Sequence, residues 1–176
     1  MQKFLYLIYT LLVMGGGLSV SYAKILLTVD DALKNYYPGC KVTEENLFLT
    51  DQQLKELEQN LGHQSKTKLF TRRVVDCKGT KSFLYLDSET VRTQAQVLMI
   101  VVNAQNILEK VEVLAYNEPE EYIPMKKWYE SFVGKGSGNE TPHISGATLT
   151  NKATVNSVNK ILAIHMVWQT KKSNAK

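Results

Sequence analysis

The stretch His143-Ile144-Ser145-Gly146-Ala147-Thr148-Leu149-Thr150 concentrates the residue types that could do chemistry. It lies directly before the last helical pattern of the chain. A helix start offers unpaired backbone N–H groups and a partial positive charge, which together attract phosphate. Gly146 and Ala147 keep side-chain bulk away from an approaching anion. Ser145, Thr148 and Thr150 add hydroxyl donors. Small hydroxyl residues before a helix also act simply as caps, so the stretch alone suits an anion site or a cap.

Other chemical signals are weak. The Gly134-Lys135-Gly136-Ser137-Gly138 run lacks the spacing of a P-loop. Asn139-Glu140-Thr141 matches a glycosylation sequon and is followed at once by Pro142. His63, His143 and His165 are far apart, and no CxxC or HxxxH spacing exists, so no metal site is expected. No spacing argues for a Ser/His/Asp constellation or paired acid/base carboxylates.

The elements that must position this stretch can be read from period and punctuation. Thr28 caps a short helix with Asp30 and Asp31 in its first turn, and Pro38-Gly39 stops it. Thr50 and Gln53 form a capping box for a second helix; Leu54, Leu57 and Leu61 share its face and Gly62 ends it. Residues 69–75 and 82–86 read as strands around the turn Lys78-Gly79-Thr80. Residues 97–102 are continuously apolar, as in a buried strand. After a turn at 103–106, Val111, Val113 and Ala115 alternate with Glu112, Leu114 and Tyr116. Residues 124–132 predict a helix with Trp128 and Phe132 facing the sheet. A flexible loop follows over 134–139, then a final helix over 151–168 with Val155, Val158, Leu162 and His165 inward. Four strands joined by tight turns imply an α+β fold, helices packed on an antiparallel sheet.

Composition sets the frame. The chain of 176 residues is 44% hydrophobic and 22% charged, ordinary for one folded unit with its own core. The net charge of +4, scattered except at pairs such as Arg72-Arg73 and Lys126-Lys127, provides no nucleic-acid stripe. Residues 1–23 run from Lys3 through an apolar core to Ser21-Tyr22-Ala23, the order of a secretory signal cleaved after Ala23, with an uncleaved anchor as the alternative. Either way the folded part is expected outside the cytoplasm, periplasmic or on the outer face of the membrane. Cys40 and Cys77 are the two cysteines, and their pairing is open from sequence.

Ser145-Gly146-Ala147-Thr148 resembles the flavinylation motif of the FMN-binding domain family. That family includes the flavin-carrying G subunit of the Rnf complex and the C subunit of the sodium-translocating NADH:quinone reductase; this chain is more similar to its small stand-alone members. Residues 97–116 look like the family hairpin. Glu118-Pro119 follows it, and Trp128, Phe132 and Gly134-Lys135 look like the family's W-x-x-x-F-x-G-K segment. The similarity covers roughly residues 90–168, after an N-terminal part over 24–89 and before a basic tail over 169–176. The resemblance implies FMN as cofactor, bound through a phosphoester at Thr148 by a separate flavin transferase. Ser145, Gly146, Ala147 and Thr150 would surround it. Where the family usually has an aspartate three residues before Ser145, this chain has Pro142. Covalent and non-covalent FMN are both compatible with that departure.

A flavin ring needs a flat partner or apolar wall, and its redox chemistry is its own. Tyr116, Tyr122, Trp128 and Tyr129 are candidates, each equally suited to the core. Trp128 stands first because the resemblance places it near the site, and Glu118 could bond the flavin or its ribityl chain. The resemblance implies an extracytoplasmic electron carrier working with membrane or periplasmic redox partner proteins. Two alternatives stand beside it: a flavin-dependent reductase, with His143 as a testable proton donor, and a cofactor-free binding module of the same fold.

Overall fold

The computed structural model describes residues 24–65, 67–138, 142 and 148–174, with side chains through residue 169 in the last helix. The signal segment expected over 1–23, and His143, Ser145, Gly146 and Ala147, lie outside the described residues.

The elements are helix α1 (Val29–Tyr36), strand β1 (Lys41–Phe48), helix α2 (Asp51–Leu61), strands β2 (Leu69–Cys77), β3 (Thr80–Thr90), β4 (Ala95–Asn103) and β5 (Leu108–Tyr116), a 3₁₀ turn (Glu120–Tyr122), helix α3 (Lys126–Glu130) and helix α4 (Thr148–Asn174). The strands form one antiparallel meander in the order β1-β2-β3-β4-β5, giving the α+β fold expected from the sequence. The sheet is continuous across residues 89 and 90, because β3 pairs with β4 as far as Thr90↔Ala95.

The caps act as their residues predict. Thr28 Oγ1 accepts from the Asp31 N–H at 3.1 Å. At α2, Gln53 N–H donates to Thr50 Oγ1 while Gln53 Oε1 accepts from Thr50 N–H, and Gly62 takes the left-handed conformation at φ 72° that ends the helix. α4 spans Thr148–Asn174, so it takes in residues ahead of the expected start at Asn151 and runs beyond the expected end at Trp168.

A fifth strand, β1, was not anticipated. Its sequence is mostly polar, and only Leu47 is buried. The strand is at the sheet edge and forms through main-chain pairing with β2, helped by the cross-strand neighbours Glu45↔Arg72 and Glu44↔Arg73. Arg72 is almost wholly buried and donates to Glu45 Oε2 at 2.7 and 2.9 Å. One step beyond the pair Lys41↔Asp76, Cys40 and Cys77 form a disulfide.

Both faces of the sheet are covered. α1 packs on one face against Val75, Leu84, Met99, Val101 and Leu114. α2, α3 and α4 pack on the other, over Tyr85, Leu98, Ile100, Val102, Val111 and Val113. This explains the unbroken apolar run in β4: alternate residues meet different helical layers, and both sets lose water.

β5 departs from simple alternation. Leu98 pairs with Val113 but Val97 pairs with Ala115, which makes Leu114 an extra residue. Leu114 keeps the face toward α1 that alternation gives it, and the extra residue brings Tyr116, rather than Ala115, onto the face of Val111 and Val113. The Leu114 carbonyl, freed from the ladder, accepts from the N–H groups of Leu26 and Leu27 at 2.8 and 3.2 Å.

Candidate functional site

The β3–β4 turn, the end of β5, the segment after it and the first turn of α4 meet at one end of the sheet. Val91, Arg92, Glu118, Tyr122, Thr148, Leu149 and Thr150 line a pocket of about 230 Å³ there. Thr148 opens α4 and is exposed. Amides in the first turn of a helix lack intrahelical acceptors, so a helix start provides donors and positive potential to an anion.

The walls are braced by the core. The bulge delivers Tyr116 beneath the helix start, where Tyr116 Oη and Thr150 Oγ1 lie 3.0 Å apart. Both reach the Tyr122 carbonyl, at 3.0 and 3.2 Å. The Thr150 side chain is buried and its hydroxyl is committed to fixing Tyr122 and α4 together. Burial pushes the Tyr116 phenol above its ordinary value, so it remains a neutral donor.

Glu118 holds the opposite wall. Its carboxylate accepts from the Thr93 and Gln94 N–H groups at 2.8 and 3.0 Å and from the Thr93 hydroxyl at 3.2 Å. The Thr93 N–H is the main cause that holds this carboxyl below the usual glutamate range, against desolvation, with the Gln94 N–H and the Thr93 hydroxyl adding to it. The turn is also closed by Val91 N–H to the Gln94 carbonyl at 2.9 Å. Arg92 therefore projects from a fixed turn, its guanidinium carbon 5.3 Å from the centre of the Tyr122 ring.

Thus Thr148, Thr150 and Glu118 come together as sequence reasoning grouped them. Trp128 does not line this pocket: it is buried, with its ring edge-on to Tyr129 and Phe132 at 4.9 and 5.1 Å. Tyr122 is the aromatic that does. Gly134 and Lys135 fasten the following loop to β5, through Gly134 N–H to the Leu108 carbonyl at 2.9 Å and Leu108 N–H to the Lys135 carbonyl at 2.8 Å. Arg92 was missed. A lone arginine between two strands carries no sequence signal until the turn is known to face α4.

A larger hollow of about 1320 Å³ lies elsewhere. The β2–β3 ladder stops at Arg72↔Tyr85, while β1–β2 continues to Phe48↔Leu69 and β3–β4 to Thr90↔Ala95, so the sheet forks. Arg72, Arg73 and Lys160 line the fork. Arg72 faces Glu45, Arg73 faces Glu44, and Lys160 meets Asp87 at 2.9 Å and Glu89 at 2.7 Å. Each of those cations has a carboxylate partner, whereas Arg92 in the smaller pocket has no ion-pair partner among the described residues.

The fold and this pocket define an α+β module that offers a helix start, a free threonine hydroxyl and a guanidinium to a phosphate-bearing ligand. Residues 93–163 match the family model described as the FMN-binding domain. The chain carries that domain, is a flavin-binding protein and takes FMN as its cofactor. No curated protein and no solved structure matches the chain.

The donor set suits the cofactor. The exposed Thr148 hydroxyl, the helix amides and Arg92 fit a phosphate monoanion or diester. The pocket is smaller than the usual 300–1,000 Å³ of an enclosing ligand site, so it suits the phosphate end and leaves the ring outside these seven residues.

Proposed function

We propose that this chain is an exported electron carrier whose FMN is tethered by a phosphoester to Thr148. The observation that carries the reading is that the exposed Thr148, in the first described turn of α4, lines the same pocket as Arg92. FMN supplies the redox chemistry when bound. The chain's residues supply the tether, the positive environment and a rigid floor made by Tyr116, Thr150 and Tyr122. Ser145, Gly146 and Ala147 complete the approach to Thr148 in this reading, and Trp128 acts through the core beneath it.

A tether suits an exported carrier, since FMN lost outside the cytoplasm would not be regained. A shallow pocket favours exchange with redox partner proteins over enclosure of a small substrate. The Cys40–Cys77 disulfide supports an oxidising compartment. A flavin transferase is the maturation partner. Thr148 Oγ would attack the flavin-side phosphorus of a flavin dinucleotide donor; the pyrophosphate P–O bond breaks, the nucleoside monophosphate leaves with the hydroxyl proton, and the product carries the mass of FMN less one water.

The test is co-expression with a flavin transferase. Native protein should give a fluorescent band on a denaturing gel and the added mass in intact-protein mass spectrometry. Thr148→Ala should lose both, and retention of the adduct in that variant overturns the assignment.

A further inference from the structure

We infer that Arg92 is the positioning residue for the flavin phosphate, a counter-ion delivered by the β3–β4 turn. The inference rests on the reading that FMN is attached at Thr148. Among the described residues, Arg92 is the one Lys or Arg lining the pocket, and its side chain has no ion-pair partner. It stands just before the segment that matches the FMN-binding domain.

The surroundings prepare it for an anion. Glu118 shares the pocket, and its Oε1 accepts from the Thr93 and Gln94 N–H groups, while no ion pair joins it to Arg92 among the described residues. The same bonds fix the turn from which Arg92 projects. The Tyr122 ring supports the guanidinium from one side, and the Tyr122 carbonyl is anchored by Tyr116 and Thr150. A planar guanidinium supported this way can present two parallel N–H donors to phosphate oxygens, which an ammonium does not do. A diester phosphate keeps one negative charge, so one cation together with the helix start compensates it. The ribityl chain would leave this clamp with reduced freedom, and the ring with it.

Purified flavin-free native protein, Arg92→Gln, Arg92→Lys and Thr148→Ala should be incubated with a flavin transferase and its flavin donor. Loading is followed by intact mass, and flavin fluorescence anisotropy is measured on the loaded fractions. Arg92→Gln should load about tenfold more slowly, the low end of what hydrogen bonds to a charged group contribute, and its flavin should show lower anisotropy. Arg92→Lys should fall between Arg92→Gln and the native protein in both. Native anisotropy in Arg92→Gln overturns the inference, whether or not loading slows, because slow loading alone would report transferase recognition. An adduct on Thr148→Ala, or none on the native protein, overturns the attachment reading itself.

Discussion

At the scale of single residues, the pocket separates threonines that sequence treats alike. Thr148 is exposed and free for chemistry, whereas Thr150, two positions on, is buried with its hydroxyl tied to Tyr116 and Tyr122. Thr150→Val keeps the shape and removes the hydroxyl. It should cost about 1 kcal/mol, lowering the melting temperature by roughly 2–4 °C, as read by circular dichroism, while Thr148→Ala leaves the melting temperature near the native value. Sequence grouped the two because both precede or open a helix. The difference arises from Tyr116, which reaches Thr150 only because of the bulge at Leu114.

At the scale of elements, α4 is fixed to the sheet by a buried polar chain. The His165 Nε2 lies 3.1 Å from the Asn103 carbonyl, which can only accept, so Nε2 carries the hydrogen and Nδ1 accepts from the Tyr85 hydroxyl at 2.8 Å. Arg72 Nη1 is 3.4 Å from the same hydroxyl. Burial, aided by the Arg72 charge and opposed by the Asn103 carbonyl, lowers the His165 value from 6.5 to about 4. The unfolded chain therefore takes up this proton first as pH falls. The stabilising contribution is full above pH 6.5 and lost by about 4, and amounts to roughly 3 kcal/mol. Urea unfolding at stepped pH should show stability falling across that window, and His165→Leu should flatten that part of the profile. The helical period placed His165 inward with Val158 and Leu162. Its partners on β3 and β4 depended on strand register, which the period does not contain.

For the molecule as a whole, the disulfide and β1 are linked. The sequence reading found four strands and left Cys40 and Cys77 open; the fifth strand places the two cysteines opposite each other by continuing the β1–β2 register. The bond spans 37 residues, so it should stabilise by about 3–4 kcal/mol through the unfolded chain. Dithiothreitol should lower the unfolding free energy read from urea titrations by that amount, and the double variant Cys40→Ser/Cys77→Ser should be insensitive to it. The forked sheet is likewise a whole-molecule property. It follows from β2 leaving β3 after Arg72↔Tyr85, and no single strand signals it.

Sequence by itself determined the α+β class, both helix caps, four strands and the hydroxyl-rich stretch ahead of a closing helix, because periodicity, capping chemistry and local hydroxyl placement act within a few residues. It also brought the FMN-binding motif into view. Tertiary structure alone decided the edge strand, the disulfide, the bulge that turns Tyr116 under α4, and the convergence of Arg92 with Thr148. Each depends on which strands lie side by side and in what register, and main-chain pairing places few constraints on side-chain type.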